Sequence, residues 1–443
     1  ERGYDEPEDL LVPGYFEMPI ACGESIVFTA SLDSRDPATL KPLIEGEIAA
    51  HDSRDTFYHS LVNAAHQFLQ QLGGEEYIIA GYPWFKPRAR DTFIAMPGLT
   101  LAIGETEQFE KYMDTASQAL DDFMAGRPVS VQIYETEQPD TLLWAMWCLQ
   151  QYAKYVGRER CRERYGALID RIMSFIFEGR HTNLFGHTNG LVYANGRDRA
   201  VTWMNSTAWG RPIIPRSGYI VEFNALYYNA KKFYQQLLVD DGRPERLITA
   251  ERIEAECRQF EESFRATFVN HCGYLFDYVD GGNADWSVRP NQLLAIALDF
   301  SPLTLRERKA VLDICTRELK TPKGIRSLSP KSQGYTPYYV GRQEDRDRAY
   351  HQGTAWPWLT GFYLEAYLRV YRMSGVNYIE RQLIGFEEEL FYHCVGTIPE
   401  LFDGNPPFSG RGAISFAMNV SSILRAFRQL EKHRLEEEAA ERD

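Results

Sequence analysis

The sequence predicts an all-α protein in which six helical hairpins close into an (α/α)6 barrel, preceded by a short β segment. Three observations carry this. From Asp36 onward, apolar residues recur at steps of three and four, the helical period. Over the same region, short turns and long connectors alternate strictly, which in an up-and-down array gathers the long connectors at one end. Strand-like alternation of any length is confined to residues 10–32, LLVPGYFEMPIACGESIVFTASL, broken by Pro13-Gly14 and Gly23.

In chain order, residues 10–32 come first. Two strands alone make no stable sheet, so residues 1–36 read as the tail of a preceding β domain, and 37–443 as the barrel. A start at Glu1 rather than Met fits a fragment of a longer protein. Twelve helices are then expected near 55–73, 90–103, 105–124, 139–156, 159–178, 218–239, 246–269, 289–299, 303–319, 353–373, 376–394 and 412–432. Single faces are explicit in Phe109, Met113, Ala116, Leu120, Phe123, then in Ile253, Cys257, Phe260, Phe264, Phe268, and in Ile379, Leu383, Phe386, Leu390, Cys394. Short turns fall near Gly104, Gly157, Asp240–Pro244, Ser301-Pro302 and Ser374-Gly375. Long connectors fall at 74–89, 125–138, 179–217, 270–288, 320–352 and 395–411. Long loops in compact domains are usually functional, and these hold Trp84, Trp203, Trp209 and Trp286, with Trp356 and Trp358 directly after. An open helical array is the alternative, but no fixed-period repeat supports it. The tail Glu431–Asp443 reads as a solvated, charged helix end.

Composition narrows the partners. The 443 residues are 44% hydrophobic, 25% charged and 13% aromatic, with a formal charge of −14. That balance disfavours nucleic acid and anionic membrane, and leaves a neutral partner such as a glycan open. No apolar run approaches the length of a membrane span, and no signal peptide is read, so a cytoplasmic location is expected. Seven scattered cysteines, with no CxxC or metal spacing, read as reduced core residues. Trp144 and Trp147 sit mid-helix and read as core.

The chemistry follows by elimination. No phosphate-loop, zinc-protease, serine-elbow or dinucleotide motif is present, His351 lacks a second histidine at ligand spacing, and neither metal nor cofactor is expected. Carboxylates among aromatics and arginines remain, the material of glycoside hydrolysis, which sets two carboxyl groups across the scissile bond. Loop candidates are Asp91, Glu135, Asp140, Asp285, Asp347, Glu400 and Asp403. Asp91, at a helix start, also reads as a cap.

Several stretches then point the same way. They are Tyr82-Pro83-Trp84-Phe85 with Arg90-Asp91-Thr92, Met96-Pro97-Gly98-Leu99, Thr202-Trp203-Met204, Pro215-Arg216, and Val221-Glu222-Phe223-Asn224-Ala225-Leu226. Arg289-Pro290-Asn291-Gln292, Thr321-Pro322-Lys323-Gly324, His351-Gln352-Gly353-Thr354-Ala355-Trp356-Pro357-Trp358 and Pro399-Glu400-Leu401-Phe402-Asp403-Gly404 complete the series. In this order, over nearly the whole chain, they resemble the C-terminal amylo-α-1,6-glucosidase domain of glycogen debranching enzymes. The resemblance implies an (α/α)6 barrel after a β-rich domain, inverting hydrolysis of α-1,6 branch residues, and glycogen, a branched α-glucan or a malto-oligosaccharide as partner. It makes Glu400 the base, and it places Trp84, Arg90, Asp91, Trp203, Arg216, Asn224, Arg289, Asn291, His351, Gln352, Trp356 and Asp403 around the sugar.

Three departures stand out. The acid expected after Thr202-Trp203-Met204 is Asn205, and an amide has no proton to give in this range. An expected Asp-Trp-Gly is Pro87-Arg88-Ala89, and an expected Ala-Gln-Ala-Trp-Ser is Ser415-Phe416-Ala417-Met418-Asn419. General acid catalysis is worth roughly 10²–10⁴ in rate, so Asn205 decides the chemistry. Three readings follow: an α-glucosidase that takes its proton from Glu222, Asp91 or the substrate; a catalytically impaired α-glucan-binding homologue; or a scaffold.

Overall fold

The computed structural model describes residues 11–241, 248–393 and 395–442. Among the described residues fifteen α-helices appear in order: α1 (Pro37–Ala50), α2 (Phe57–Phe68), α3 (Ala89–Leu99), α4 (Thr106–Met124), α5 (Thr141–Val156), α6 (Arg158–Phe177), α7 (Val221–Asp241), α8 (Ala250–Phe268), α9 (Leu294–Ala297), α10 (Leu305–Glu318), α11 (Gln343–Ala349), α12 (Trp358–Tyr371), α13 (Val376–Ile384), α14 (Glu389–Tyr392) and α15 (Ala417–Arg442). Local chemistry sets several ends. The Thr56 hydroxyl accepts from His59 N to start α2, Thr249 caps α8, and Thr304 with Glu307 forms a capping box at α10. Gly157 ends α5 and begins α6 at positive φ.

Six helices form a closed circuit of contacts: α3 packs on α5, α5 on α7, α7 on α9, α9 on α12, α12 on α15, and α15 back on α3. A second set lies against these: α4 on α3, α6 on α5, α8 on α7, α10 on α9 and α12, α13 on α15, and α2 on α15 and α3. The first and last of the twelve expected helices therefore meet. Burial separates the two sets. Every residue of α3, and of α5 from Thr141 to Ala153, is buried, whereas α4 and α8 bury one stripe each. A helix with neighbours on all sides must be apolar all round; one with a solvated back need not be. The inner contacts are tight enough that a Cβ on Gly98 of α3 would collide with the Ser421 backbone of α15.

The long connectors hold short strands, which the sequence does not announce, and these stitch neighbouring loops together. Gly81–Tyr82 pairs with Ser415–Phe416, joining the first loop to the last. Tyr219–Ile220 pairs with Tyr278–Asp280, and Gly324–Arg326, Ala355–Trp356, Leu401–Phe402 and Gly410–Arg411 run side by side in one antiparallel sheet. The loop-rich end is thus bound around its circumference.

Other differences have local causes. Residues 11–35 form no strand: with no neighbour to pair with, they keep only a turn at Cys22-Gly23, and most of their apolar side chains are exposed. Helix α1 lies where none was expected, as does the short α11. The expected 376–394 helix breaks between α13 and α14, and α12 starts at Trp358 because Ala355–Trp356 is taken by the sheet. Of the cysteines, 148, 161, 257 and 315 are buried, but Cys22 and Cys272 are exposed. Cys394 and part of the turn at Asp240–Pro244 lie outside the described residues. Trp144 and Trp147 are core, as expected.

Candidate active site

Six helices begin where the long connectors end, so their N-termini converge on the loop face and favour negative charge there. A recess opens on that face, walled by Phe85, Arg88, Arg90, Asp91, Trp203, Asn205, Tyr350, His351, Trp356, Phe416 and Met418. These come from the first, third, fifth and sixth long loops and the helix starts after them. Six of the sequence-predicted residues meet here: Arg90, Asp91, Trp203, Asn205, His351 and Trp356.

Aromatic packing shapes the recess. Trp203 stands edge-on to His351, Trp356 and Trp358, with centroids 5.2, 5.3 and 5.2 Å away. His351 lies flat on Trp356, at 5.3 Å and 11°. The Trp203 indole N–H donates to Asn291 Oδ1 at 2.7 Å. His351 Nδ1 bonds the Ser206 hydroxyl at 3.1 Å, while its buried Nε2 has no partner among the described residues. Burial, then Arg289, Arg90 and Arg216, push the His351 pKa well below the ordinary value, so the ring is neutral.

Among the residues lining the recess, Asp91 is the only carboxylate. Burial raises its pKa; Arg88 and Arg90 oppose that rise without cancelling it. Asp91 does not cap α3, whose cap position is Arg88; it sits in the first turn.

Glu400 is fully buried behind this wall, one hydroxyl away. Tyr350, whose ring lines the recess, donates its O–H to Glu400 Oε1, and Ala413 N–H donates to Oε2 at 2.7 Å. Asn419 Nδ2 donates to the Glu400 carbonyl at 2.8 Å. Gly412, at φ +73°, is required: a Cβ there would strike Glu400 Oε2. The free volume of the recess is about 30 Å³, room for a water or two and not for a sugar ring. A sugar therefore enters only if side chains such as Tyr350 move.

Behind Trp203 lies a charged framework that corrects several expectations. Glu222, expected as a candidate acid, does not line the recess. Both its oxygens accept from the Arg216 guanidinium, Oε2 from Nη2 at 2.6 Å and Oε1 from Nη1. Burial raises its carboxyl and Arg216 pulls it back. Arg216 also donates through Nε to Asp277 Oδ2 at 2.6 Å, and Asn291 Nδ2 donates to Asp277 Oδ1 at 2.7 Å. Arg289 donates through Nη1 to the His351 carbonyl at 3.0 Å and the Ser327 carbonyl at 3.2 Å, and through Nη2 to Gln352 Oε1 at 2.7 Å, while its buried Nε has no hydrogen-bond partner among the described residues. Arg216, Arg289, Asn291 and Gln352 thus hold the wall rather than face the recess. Asn224 is wholly consumed by Val192 N–H, the Val192 carbonyl and the Ile220 carbonyl. Asp403 accepts from Arg411 and from Tyr339 N–H, fixing the turn after Glu400. Arg90 lines the recess, yet its guanidinium is clamped by Asp140 at 2.7 and 2.8 Å. Trp84 is half-exposed beside Phe85.

Sequence reasoning missed Tyr350, Asp277, Ser206 and Gly412. Tyr350 directly precedes His351, and Asp277 sits in a long loop between apolar residues; those were the available signals. Among the described residues, no group of three or more His, Cys, Asp and Glu is arranged to hold a metal.

This arrangement of helices is shared with solved sugar-cleaving enzymes. The GH63 mannosylglycerate hydrolase from Thermus thermophilus, in complex with Tris, superimposes with a TM-score of 0.59 at 13% identity, over 84% of this chain and 99% of that one. A bacterial glucoamylase complexed with acarbose gives 0.57 at 13%, over 90% and 60%. The fold is thus one that glycoside hydrolases use. The family model for amylo-alpha-1,6-glucosidase matches residues 63–425, and the chain belongs to that family. The glycogen debranching enzyme of Saccharomyces cerevisiae is 26% identical over 248 residues, 46% of this chain. That alignment spans 16% of the yeast protein's length.

Proposed function

We propose that this chain is a debranching-type glycoside hydrolase, an (α/α)6 barrel that removes α-1,6-linked glucose from branched α-glucan with inversion. The observation that carries the reading is two carboxyl groups at one aromatic recess, brought from opposite ends of the sequence: Asp91 in the wall and Glu400 behind Tyr350. Asp91, with its raised pKa, is suited to hold a proton and give it to the leaving glycosidic oxygen. Glu400, once Tyr350 has swung away, is suited to take a proton from a water attacking the anomeric carbon from the other side. Inversion requires the carboxyl groups ~6.5–9.5 Å apart with that water between them. Neutral His351, Trp203 and Trp356 would seat the ring.

A second reading, a catalytically impaired α-glucan-binding homologue, is favoured by Asn205 in the recess wall and by the occupation of both Glu400 oxygens. Glucose release from a glycogen limit dextrin separates them. Activity lost in both Glu400→Gln and Asp91→Asn supports the hydrolase. An inactive parent that gains activity as Asn205→Asp supports the impaired homologue. Hydrolysis that survives Glu400→Gln sinks the assignment of the base.

A further inference from the structure

We propose that Trp209 is a stacking platform for the glucan chain outside the recess, an inference that rests on the glucan reading above. Residues Thr207–Ala208 and Arg211–Pro212 form a two-stranded hairpin, and Trp209-Gly210 is its turn. Trp209 is 89% exposed, and its side chain has no ring or hydrogen-bond partner among the described residues. Its φ is +53° and that of Gly210 is +75°. Such a turn favours Asn-Gly, and a bulky residue there is strained. The indole therefore costs backbone energy and returns no burial, so folding does not explain it.

The hairpin is rooted in the site. Ile213 N–H donates to the Ser206 carbonyl at 3.0 Å, Ser206 bonds His351 Nδ1, and Asn205 lines the recess. Helix α11 packs beside the first strand and braces it. Trp209 is four positions after Asn205, so their Cα atoms lie at most about 14 Å apart, within reach of a chain whose end occupies the recess.

The surroundings select the partner. Trp84 and Trp286 lean on Phe85 and Phe276, but Trp209 stands alone between exposed Thr207, Gly210 and Arg211. A protein interface wants a contiguous apolar patch, whereas the exposed neighbours of Trp209 within the hairpin, Thr207, Gly210 and Arg211, are not apolar. A pyranose offers one flat C–H face to an indole and its hydroxyls to an adjacent guanidinium, which matches Trp209 with Arg211.

The test is the affinity of linear malto-oligosaccharides from maltose to maltoheptaose, by calorimetry, for the parent, Trp209→Asn and Trp209→Phe. Asn keeps the left-handed preference of the turn and removes the ring, so the fold is retained. Expected is a parent affinity that rises with chain length. In Trp209→Asn that rise should shrink by about three- to tenfold with maltose unaffected, and Trp209→Phe should keep most of it. A parent-like length dependence in Trp209→Asn overturns the platform while leaving the glucan reading intact. A parent that binds no oligosaccharide of any length overturns both.

Discussion

Glu222→Gln separates a structural carboxylate from a catalytic one. Arg216, Arg289, Glu222 and Asp277 form a buried group of two cations and two anions, with the Arg289 guanidinium 3.9 Å from Asp277. Glutamine turns one acceptor of Arg216 into an N–H₂ that faces donors, and leaves the group with one uncompensated positive charge. Removing one partner of a buried pair costs about 3–5 kcal/mol. With ~2.1 cal/mol/K of unfolding entropy per residue, a chain of this length converts that to a melting-temperature drop of about 3–5 °C. The assay is thermal unfolding by circular dichroism at pH 7 and one scan rate, beside glucose release at a temperature where both forms are folded. The framework role predicts the drop, with activity retained or reduced only modestly. Unchanged melting with abolished hydrolysis would refute this reasoning and return Glu222 to the role of acid.

Three further outcomes are expected. Buried His181 has its pKa lowered to about 4 from 6.5 by burial, and His351 shifts the same way. Below about 6.5 the unfolded chain therefore binds protons that the native one refuses. The stability is present above that pH and is lost on acidification, by roughly 2 kcal/mol from His181 alone at pH 5; a urea midpoint that stays flat from pH 7 to 5 contradicts neutral histidines. Gly412→Ala should displace Glu400 and destabilise by about 1–3 kcal/mol, because the Cβ meets the carboxylate and the backbone is left-handed; unchanged melting and activity would show that the loop yields. Asp140→Asn should loosen the Arg90 clamp that ties the second loop to α3, costing about 3–5 kcal/mol, and chemical denaturation would register it.

Much of the fold was legible because helical period and connector length are local properties. The steps of Phe109, Met113, Ala116 and Leu120 name a buried face whatever that face touches, and the alternation of turn lengths placed the loops at one end. The strand-like run forms no strand over residues 11–32, because alternation without a partner strand leaves only an exposed chain. Motif resemblance carried the family and led to Trp203, His351, Trp356 and Glu400, all at the recess or against it.

Side-chain roles were another matter. Arg216, Glu222, Asn224 and Asp403 belong to the same series of motifs as Trp203 and Glu400, yet geometry commits them to framework. A sequence position says that a charge is present, not which neighbour takes it up. Asp277 meets Arg216 across 61 positions, Tyr350 meets Glu400 across 50, and Asn291 meets Trp203 across 88. The sequence by itself determined the helical architecture, the family and an amide rather than a carboxyl at Asn205, all carried by local pattern. Only the tertiary structure decided which carboxylate faces the recess and which is neutralised in the wall. Desolvation and ion pairing depend on what the fold brings together.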